Sequence, residues 1–396
     1  ISHQTLFYWL WLQSRSTLRI IFMKHMNDFI VPFNNFDYQD SLYKDLILKK
    51  IESIINSKYY VLGENTLRLE EEYSQLNDVK FTIGVSSGLD ALIIALRSLE
   101  ISPGDEIIVP SNTYIATWLA ISSVGAKIVP VEPDIKTYNL DPSKIEILIT
   151  SKTKAIMPVH LYGQSCNMTR LMEIAKKYNL FVIEDNAQAH LSMWEGRFTG
   201  TFGHINATSF YPTKNLGAIG EAGAITTNNK LLAEFSKTYR NYGSKEKYIN
   251  LIKGVNSRID ELQAGILRVK LRYLDSLTAD RVKIAALYSK LLIGVGDIVV
   301  PFILNGAKHV FHLYVVRTSR RDELARFLND RGIGTSIHYP IPPHLQEAYK
   351  DLKYKKGDFP IAEELALTSL SLPLFPGMTE DQIELVVNNI KSFFNE

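Results

Sequence analysis

From Phe81 onward the chain alternates short apolar runs with helical segments, and this alternation limits the fold more than any other feature. Phe81–Ser87 reads as a strand and Leu89–Leu99 as a buried helix. Asp105–Pro110 and Lys127–Val131 read as strands, followed by helices over Tyr114–Val124 and Asp141–Thr150. Lys154–Leu161 and Leu180–Glu184 read as strands on either side of a helix over Met168–Tyr178. Strands separated by helices of about 10–15 residues signal parallel βαβ units. The runs EIIV (Glu106–Val109) and FVI (Phe181–Ile183) are continuous rather than alternating, as suits a sheet covered on both faces. The expected fold class is α/β, with a mostly parallel mixed sheet between helices.

Other segments complete the outline. Leu42, Leu46, Leu48, Ile51, Ile54 and Ile55 predict a helix within Ser41–Leu62. After Gly203 the rhythm changes to short strands in INATSFYP and GAITT, then helices over Leu231–Tyr239 and Ile259–Leu277. A second unit starts near Ala279, with a helix to Leu292, strands near Ile298–Val300 and His312–Val316, a helix over Arg321–Asp330 and a closing helix over Glu380–Phe394. A boundary near 275–285 gives an N-terminal segment and large domain over 27–278 and a small C-terminal α+β domain over 279–396. Residues 1–26 carry an apolar run, Leu6–Leu12, far short of the roughly 20 residues that span a bilayer. No basic residue precedes the run, and no small-residue cleavage site follows it, so a signal peptide fits badly. This stretch is expected to be a non-native or disordered leader, and the remainder a cytoplasmic protein without a membrane segment.

Charge narrows the partners. Lys and Arg number 44 against 42 Asp and Glu, a net charge of +2, which argues against a dedicated nucleic-acid binder. The single cysteine, Cys166, excludes an internal disulfide framework. His160, His190, His338 and His344 match no zinc spacing, so no metal is expected.

Ligands of open α/β sheets bind outside the carboxyl ends of the strands, so the residues just after each strand are the candidates. Ser87-Gly88 opens a helix directly after a strand, where free N–H groups attract an anion such as phosphate. Asp185 ends a buried strand and needs a partner for its charge. Lys214 lies in the turn-rich stretch SFYPTKNLG between two strands, where loss of water lowers a lysine's pKa and makes it a nucleophile toward carbonyls. A phosphate-binding turn, a carboxylate and a desolvated lysine together match what pyridoxal phosphate (PLP) requires. No GxGxxG follows a strand and no Walker A motif is present, which disfavours nicotinamide and nucleoside-triphosphate sites.

The stretches VSSGLDAL, GDEIIVPSNTYIATWLA, AIMPVHLYGQ, IEDNAQAH, SFYPTKNLGAIGEAGAITTN, RNYGS, GVNSRIDELQAGILRVKL and IHYPIPPHLQEAY resemble the DegT/DnrJ/StrS family of PLP-dependent nucleotide-sugar aminotransferases. That family lies within the fold-type I, aspartate aminotransferase-like superfamily. The resemblance runs from about Val31 to Phe394. SGLDAL and SFYPxKNLGA are most similar to the branch acting on dTDP-linked 3-keto-6-deoxyhexoses; a 4-keto sugar nucleotide is the alternative. The resemblance implies an L-glutamate amino donor, a 3-amino-3,6-dideoxyhexose product for surface polysaccharide, glycan or natural-product biosynthesis, and a homodimer with shared active sites.

By the same resemblance, Lys214 is the Schiff-base lysine, Asp185 the acid on the pyridine nitrogen, Gln188 the residue beside the ring hydroxyl, and Tyr114 the aromatic stacked on the ring. Ser209 with the N–H groups of Gly88 and Leu89 forms the phosphate site, and Asn256 reaches the phosphate from the other subunit. Tyr211, His338 and Tyr339 contact the sugar nucleotide. Apart from the resemblance, a cation near the run Lys245–Lys247, such as Arg240 or Lys247, is a candidate for its diphosphate. Three positions depart from the family pattern. Leu89 stands where many relatives have Thr. Leu191-Ser192 replaces a small residue and Gly. Thr213 replaces a frequent Gly before Lys214, which is tolerable only at negative φ. A related sugar dehydratase has His at the lysine position, and Lys214 argues against that activity.

Overall fold

The computed structural model describes residues 29–396; the leader expected over residues 1–26 lies outside them. Its centre is a seven-stranded sheet in the order Phe81–Val85, Gly223–Thr227, Ile205–Ser209, Phe181–Asp185, Thr153–Ile156, Glu106–Pro110 and Lys127–Val131. Only Gly223–Thr227 runs antiparallel to its neighbours; the other strands share one direction. Adjacent residues of the central strands enter two different apolar cores. Ile107, Ala155 and Ile183 pack with Leu92, Leu96, Trp118 and Ile121 on one face. Ile108, Ile156 and Val182 pack with Leu171 and Ile174 on the other. The continuous apolar runs are thus buried on both sides, and each fully buried Ile or Val contributes about 1.5–3 kcal/mol.

A further apolar core gathers Ile284, Tyr288, Leu324, Leu328, Leu370, Val386 and Phe393 around the antiparallel pair Tyr314–Arg317 and Ser369–Leu372. Val31 joins this C-terminal core, its N–H donating to Gly332 O at 3.0 Å.

Several expected elements differ in the structure. Asp141–Thr150 is not an α-helix but two 3₁₀ turns, Pro142–Lys144 and Glu146–Leu148. Its β-branched residues Ile145, Ile147, Ile149 and Thr150 disfavour a longer helix. The helix expected over Ile259–Leu277 is two helices, Glu261–Leu271 and Leu274–Leu292, so the 275–285 boundary falls within the second. The strand near Ile298–Val300 is a single bridge between Val299 and Arg317. Among the described residues the first helix is Asp37–Ser57, and a second one, Glu64–Asn77, follows it. The N-terminus of that second helix is satisfied by the Glu261 carboxylate, which accepts from the N–H groups of Gly63 at 3.0 Å, Asn65 at 2.5 Å and Thr66 at 3.1 Å.

Candidate active site

Four chain segments bring the candidate residues together at the carboxyl ends of the strands. The first is the turn from Phe81–Val85 into the helix Gly88–Ser98. Ser87 caps this helix, its hydroxyl accepting from Asp90 N–H at 3.1 Å and its carbonyl from Ala91 N–H at 3.0 Å. The first N–H groups of a helix have no intrahelical partner, so those of Gly88 and Leu89 remain to face an anion. Ser209, at the end of its strand, closes the other side. A Cβ on Gly88 would lie 2.6 Å from the Ser209 Cβ, so only glycine fits. The result is a small cradle with backbone donors and a hydroxyl.

The second segment is the tight turn that carries Lys214. Lys214 N–H donates to Tyr211 O at 2.8 Å, and Ala218 N–H to Phe210 O at 2.8 Å. A Cβ on Gly217 would sit 2.2 Å from Pro212 O, so this turn closes only around glycine. Lys270 fixes it from the helix Glu261–Leu271 by donating to Gly217 O at 2.8 Å. The Lys214 side chain is largely enclosed, and loss of water pushes its pKa down to about 8, against an opposing pull from Asp185. Thr213 takes no positive φ, whereas Leu191 does, at 65°. The substitution after AQAH therefore places a left-handed backbone on a bulky residue, at a cost of about 1–2 kcal/mol.

Asp185 ends the strand Phe181–Asp185 and is buried. Both of its hydrogen-bond donors are neutral: Thr117 Oγ1 at 2.9 Å and Ala187 N–H at 3.1 Å. Thr117 lies on the helix Ile115–Ser123 and also meets Thr113, Oγ1 to Oγ1, at 2.8 Å. Burial raises the Asp185 pKa, while these donors and the Lys214 charge oppose the rise. A buried carboxylate held by neutral donors, a desolvated amine and a cradle of backbone donors with a hydroxyl fit the pyridinium, aldehyde and phosphate ends of PLP.

The remaining candidates divide. Gln188 accepts from Tyr162 N–H at 2.6 Å and donates to the Tyr339 hydroxyl at 3.0 Å. The ring of Tyr339 lies 5.0 Å from that of Tyr114, which is exposed. His338 holds the Ser371 hydroxyl at 2.8 Å through Nδ1, stacks on Phe33 and is pushed down to about 4 by burial and then by Lys214. Tyr211 is exposed beside the lysine turn. Asn256 is exposed and bridges to Asn241, among the exposed side chains of Tyr242, Leu251 and Val255. Arg240 stands apart. It is buried, donating to Glu70 Oε1 at 2.5 Å and to Gly84 O, so its guanidinium is engaged inside the subunit and does not meet a diphosphate.

Four residues near the site escaped the sequence reading in this role. Thr117 supports Asp185, and the spacing of Thr113 and Thr117, four apart at a helix start, was the available signal. His190 lies against Phe210 with both ring nitrogens unpartnered, and burial pushes it down to about 3. Arg281 and His312 come from the C-terminal unit and carry no local signal.

Residues 42–391 match the model of the DegT/DnrJ/EryC1/StrS aminotransferase family. The chain is 48% identical over 364 residues to the dTDP-3-amino-3,6-dideoxy-alpha-D-galactopyranose transaminase of Aneurinibacillus thermoaerophilus, covering 92% of this chain and 99% of the relative. The crystal structure of DesV from S. venezuelae superposes with a TM-score of 0.91 at 42% identity, over 92% of this chain and 99% of that one. NtdA from Bacillus subtilis, solved with bound cofactor PMP, superposes with a TM-score of 0.83 at 31% identity, over 89% of this chain and 82% of that one.

Proposed function

Because this chain belongs to the DegT/DnrJ/EryC1/StrS aminotransferase family, we propose that it is a PLP-dependent enzyme that moves the amino group of L-glutamate to a dTDP-linked 3-keto-6-deoxyhexose, giving a dTDP-3-amino-3,6-dideoxyhexose. The observation that carries the reaction type is the desolvated Lys214 beside the buried Asp185, with the Gly88 cradle at hand. The substrate rests on the similarity to the Aneurinibacillus transaminase.

PLP, when bound, supplies an electron sink at the carbon that bears the amino group. The rest falls to this chain's residues. Lys214, with a pKa near 8, holds a useful fraction of neutral amine near neutral pH. Its Nζ would be the nucleophile toward the aldehyde of bound PLP, and once free it would take the proton from the donor's α-carbon and deliver it to the cofactor carbon that bears the nitrogen. With PLP bound, Asp185 would keep a negative charge where water is excluded and so would hold a proton on the ring nitrogen. The N–H groups of Gly88 and Leu89 and the Ser209 hydroxyl would hold its phosphate, and Tyr114 and Gln188 would hold its ring. Tyr211, His338 and Tyr339 receive the sugar nucleotide.

The enzyme acts as a cytoplasmic homodimer in which Asn256 of each subunit reaches the other's phosphate. The exposed apolar side chains around Asn256 support that reading. The separate apolar core of the C-terminal half supports a small domain, with Val31 added to it. Among the described residues no helix is long and apolar enough to cross a membrane.

The test incubates the purified protein with L-glutamate and a panel of dTDP- and UDP-linked 3-keto and 4-keto sugars, and identifies the products by mass and NMR. A 3-amino product from a dTDP 3-keto sugar is expected. An amino group at carbon 4, or no amino sugar at all, would contradict the reading.

A further inference from the structure

Among the described residues, Arg281 is a buried cation without an anion. The helix Leu274–Leu292 delivers it on the side that packs inward, among Leu277, Ile284 and Ala285. One of its terminal nitrogens donates to two carbonyl oxygens, His312 O at 3.4 Å and Leu374 O at 3.2 Å. Among the described residues no carboxylate lies within ion-pair distance; the neighbouring Asp280 carboxylate is turned to Gly377 N–H at 2.6 Å. Burying a guanidinium against neutral groups is costly, and the cost falls when an anion arrives.

A place for such an anion adjoins it. A cavity of about 150 Å³ is lined by Arg281, His312, His338, Thr213, Phe33 and Asn34. His312 is buried, and its Nδ1 has no hydrogen-bond partner among the described residues. Thr213, which lines the cavity, immediately precedes Lys214, and the Lys214 charge acts on both His312 and His338, so the cavity adjoins the lysine turn. A cavity of roughly 150 Å³ matches the volume of a molecule about the size of benzene. That is room for a carboxylate on a short carbon chain and far too little for a nucleoside diphosphate. Charge and size together select the amino-acid partner of the reaction rather than the nucleotide sugar.

We propose that Arg281, with His312 beside it, binds a carboxylate of the amino donor in this cavity and so holds the donor next to Lys214. The assignment rests on the donor named above. It makes Arg281 a binding residue that takes no part in proton transfer. A guanidinium offers two parallel N–H donors to a carboxylate.

The test uses the holoenzyme and glutarate, a dicarboxylate with no amino group to react. Calorimetric titration should show glutarate binding to the wild type, at least tenfold weaker in Arg281→Gln, while dTDP binds both proteins within twofold. Equal glutarate affinity in a folded Arg281→Gln variant overturns the assignment. So does the absence of glutarate binding to the wild type, and so does inorganic phosphate binding as tightly as glutarate with the same dependence on Arg281, which would make the cavity a general anion site. If Arg281→Gln fails to fold, a wild-type crystal soaked in glutarate decides. A carboxylate on Arg281 supports the assignment, and glutarate bound elsewhere overturns it. A separate measurement follows cofactor absorbance on adding L-glutamate to the wild type. No spectral change, with glutarate still bound through Arg281, would refute glutamate as donor and leave the carboxylate cavity standing.

Discussion

Replacing Thr117 by Val tests how the site keeps Asp185 ionised. The side chains are nearly the same shape, so the variant removes one hydroxyl and little else. That hydroxyl donates to Asp185 Oδ2 at 2.9 Å in a buried setting. A hydrogen bond to a charged group contributes about 1.5–3 kcal/mol. Burial already pushes the Asp185 pKa up, and the Thr117 hydrogen bond is the largest effect opposing it. Its loss moves the pKa further up, so the charged form persists over a narrower range of pH. If the Asp185 charge supports the proton abstraction step, the same energy appears in the rate as a loss of roughly 10- to 100-fold. The assay is single-turnover reaction of the holoenzyme with L-glutamate, followed by cofactor absorbance across pH. The rate should fall by that factor, and the acid limb of its pH profile should move to higher pH. A lower melting temperature with an unchanged rate and an unmoved acid limb would show that Thr117 and Asp185 serve structure alone.

Two further outcomes follow from the same geometry. In the cofactor-free protein Lys214 has a pKa near 8, against about 10.4 in an unfolded chain. The unfolded state therefore holds the extra proton between those values, and stability should rise with pH across that window, by at most about 3 kcal/mol and less with partial solvent access. Urea unfolding of apoprotein at pH 7.5 and pH 10 should show this rise, Lys214→Met should lack it, and an identical slope in both proteins would count against a desolvated lysine. Mixing inactive Lys214→Ala with inactive Asn256→Asp subunits should restore about a quarter of the active sites, since half of a random mixture is heterodimer with one intact site each. No recovery on mixing, or a monomer by light scattering at assay concentration, would refute the shared site.

The strands were legible because covering a sheet on both faces forces continuous apolar runs such as EIIV and FVI. The site was legible where its chemistry is local. The glycines of SSG and of KNLG mark places where no Cβ fits, and Asp185 and Lys214 sit at strand ends. Elements held by distant partners were not legible. Glu64–Asn77 is a polar stretch whose inward side includes Thr66, Glu70 and Asn77, and its cap is Glu261, nearly 200 residues away in sequence. Asp141–Thr150 has helical spacing of its apolar residues but lacks the backbone preference to sustain it. Arg240 carries the charge expected of a diphosphate ligand, yet only the fold reveals that Glu70 occupies it. Arg281 and His312 meet the cavity only because the C-terminal unit packs against the lysine turn, which no local pattern encodes.

The central claim is that Lys214 is the amine that binds the cofactor's aldehyde. Borohydride reduction of the purified holoenzyme, followed by tryptic digestion and mass mapping, tests it most directly. The pyridoxyl group should appear on the peptide containing Lys214 and stay attached through denaturation. A label on another lysine, or a reduced protein with no label, would contradict the account.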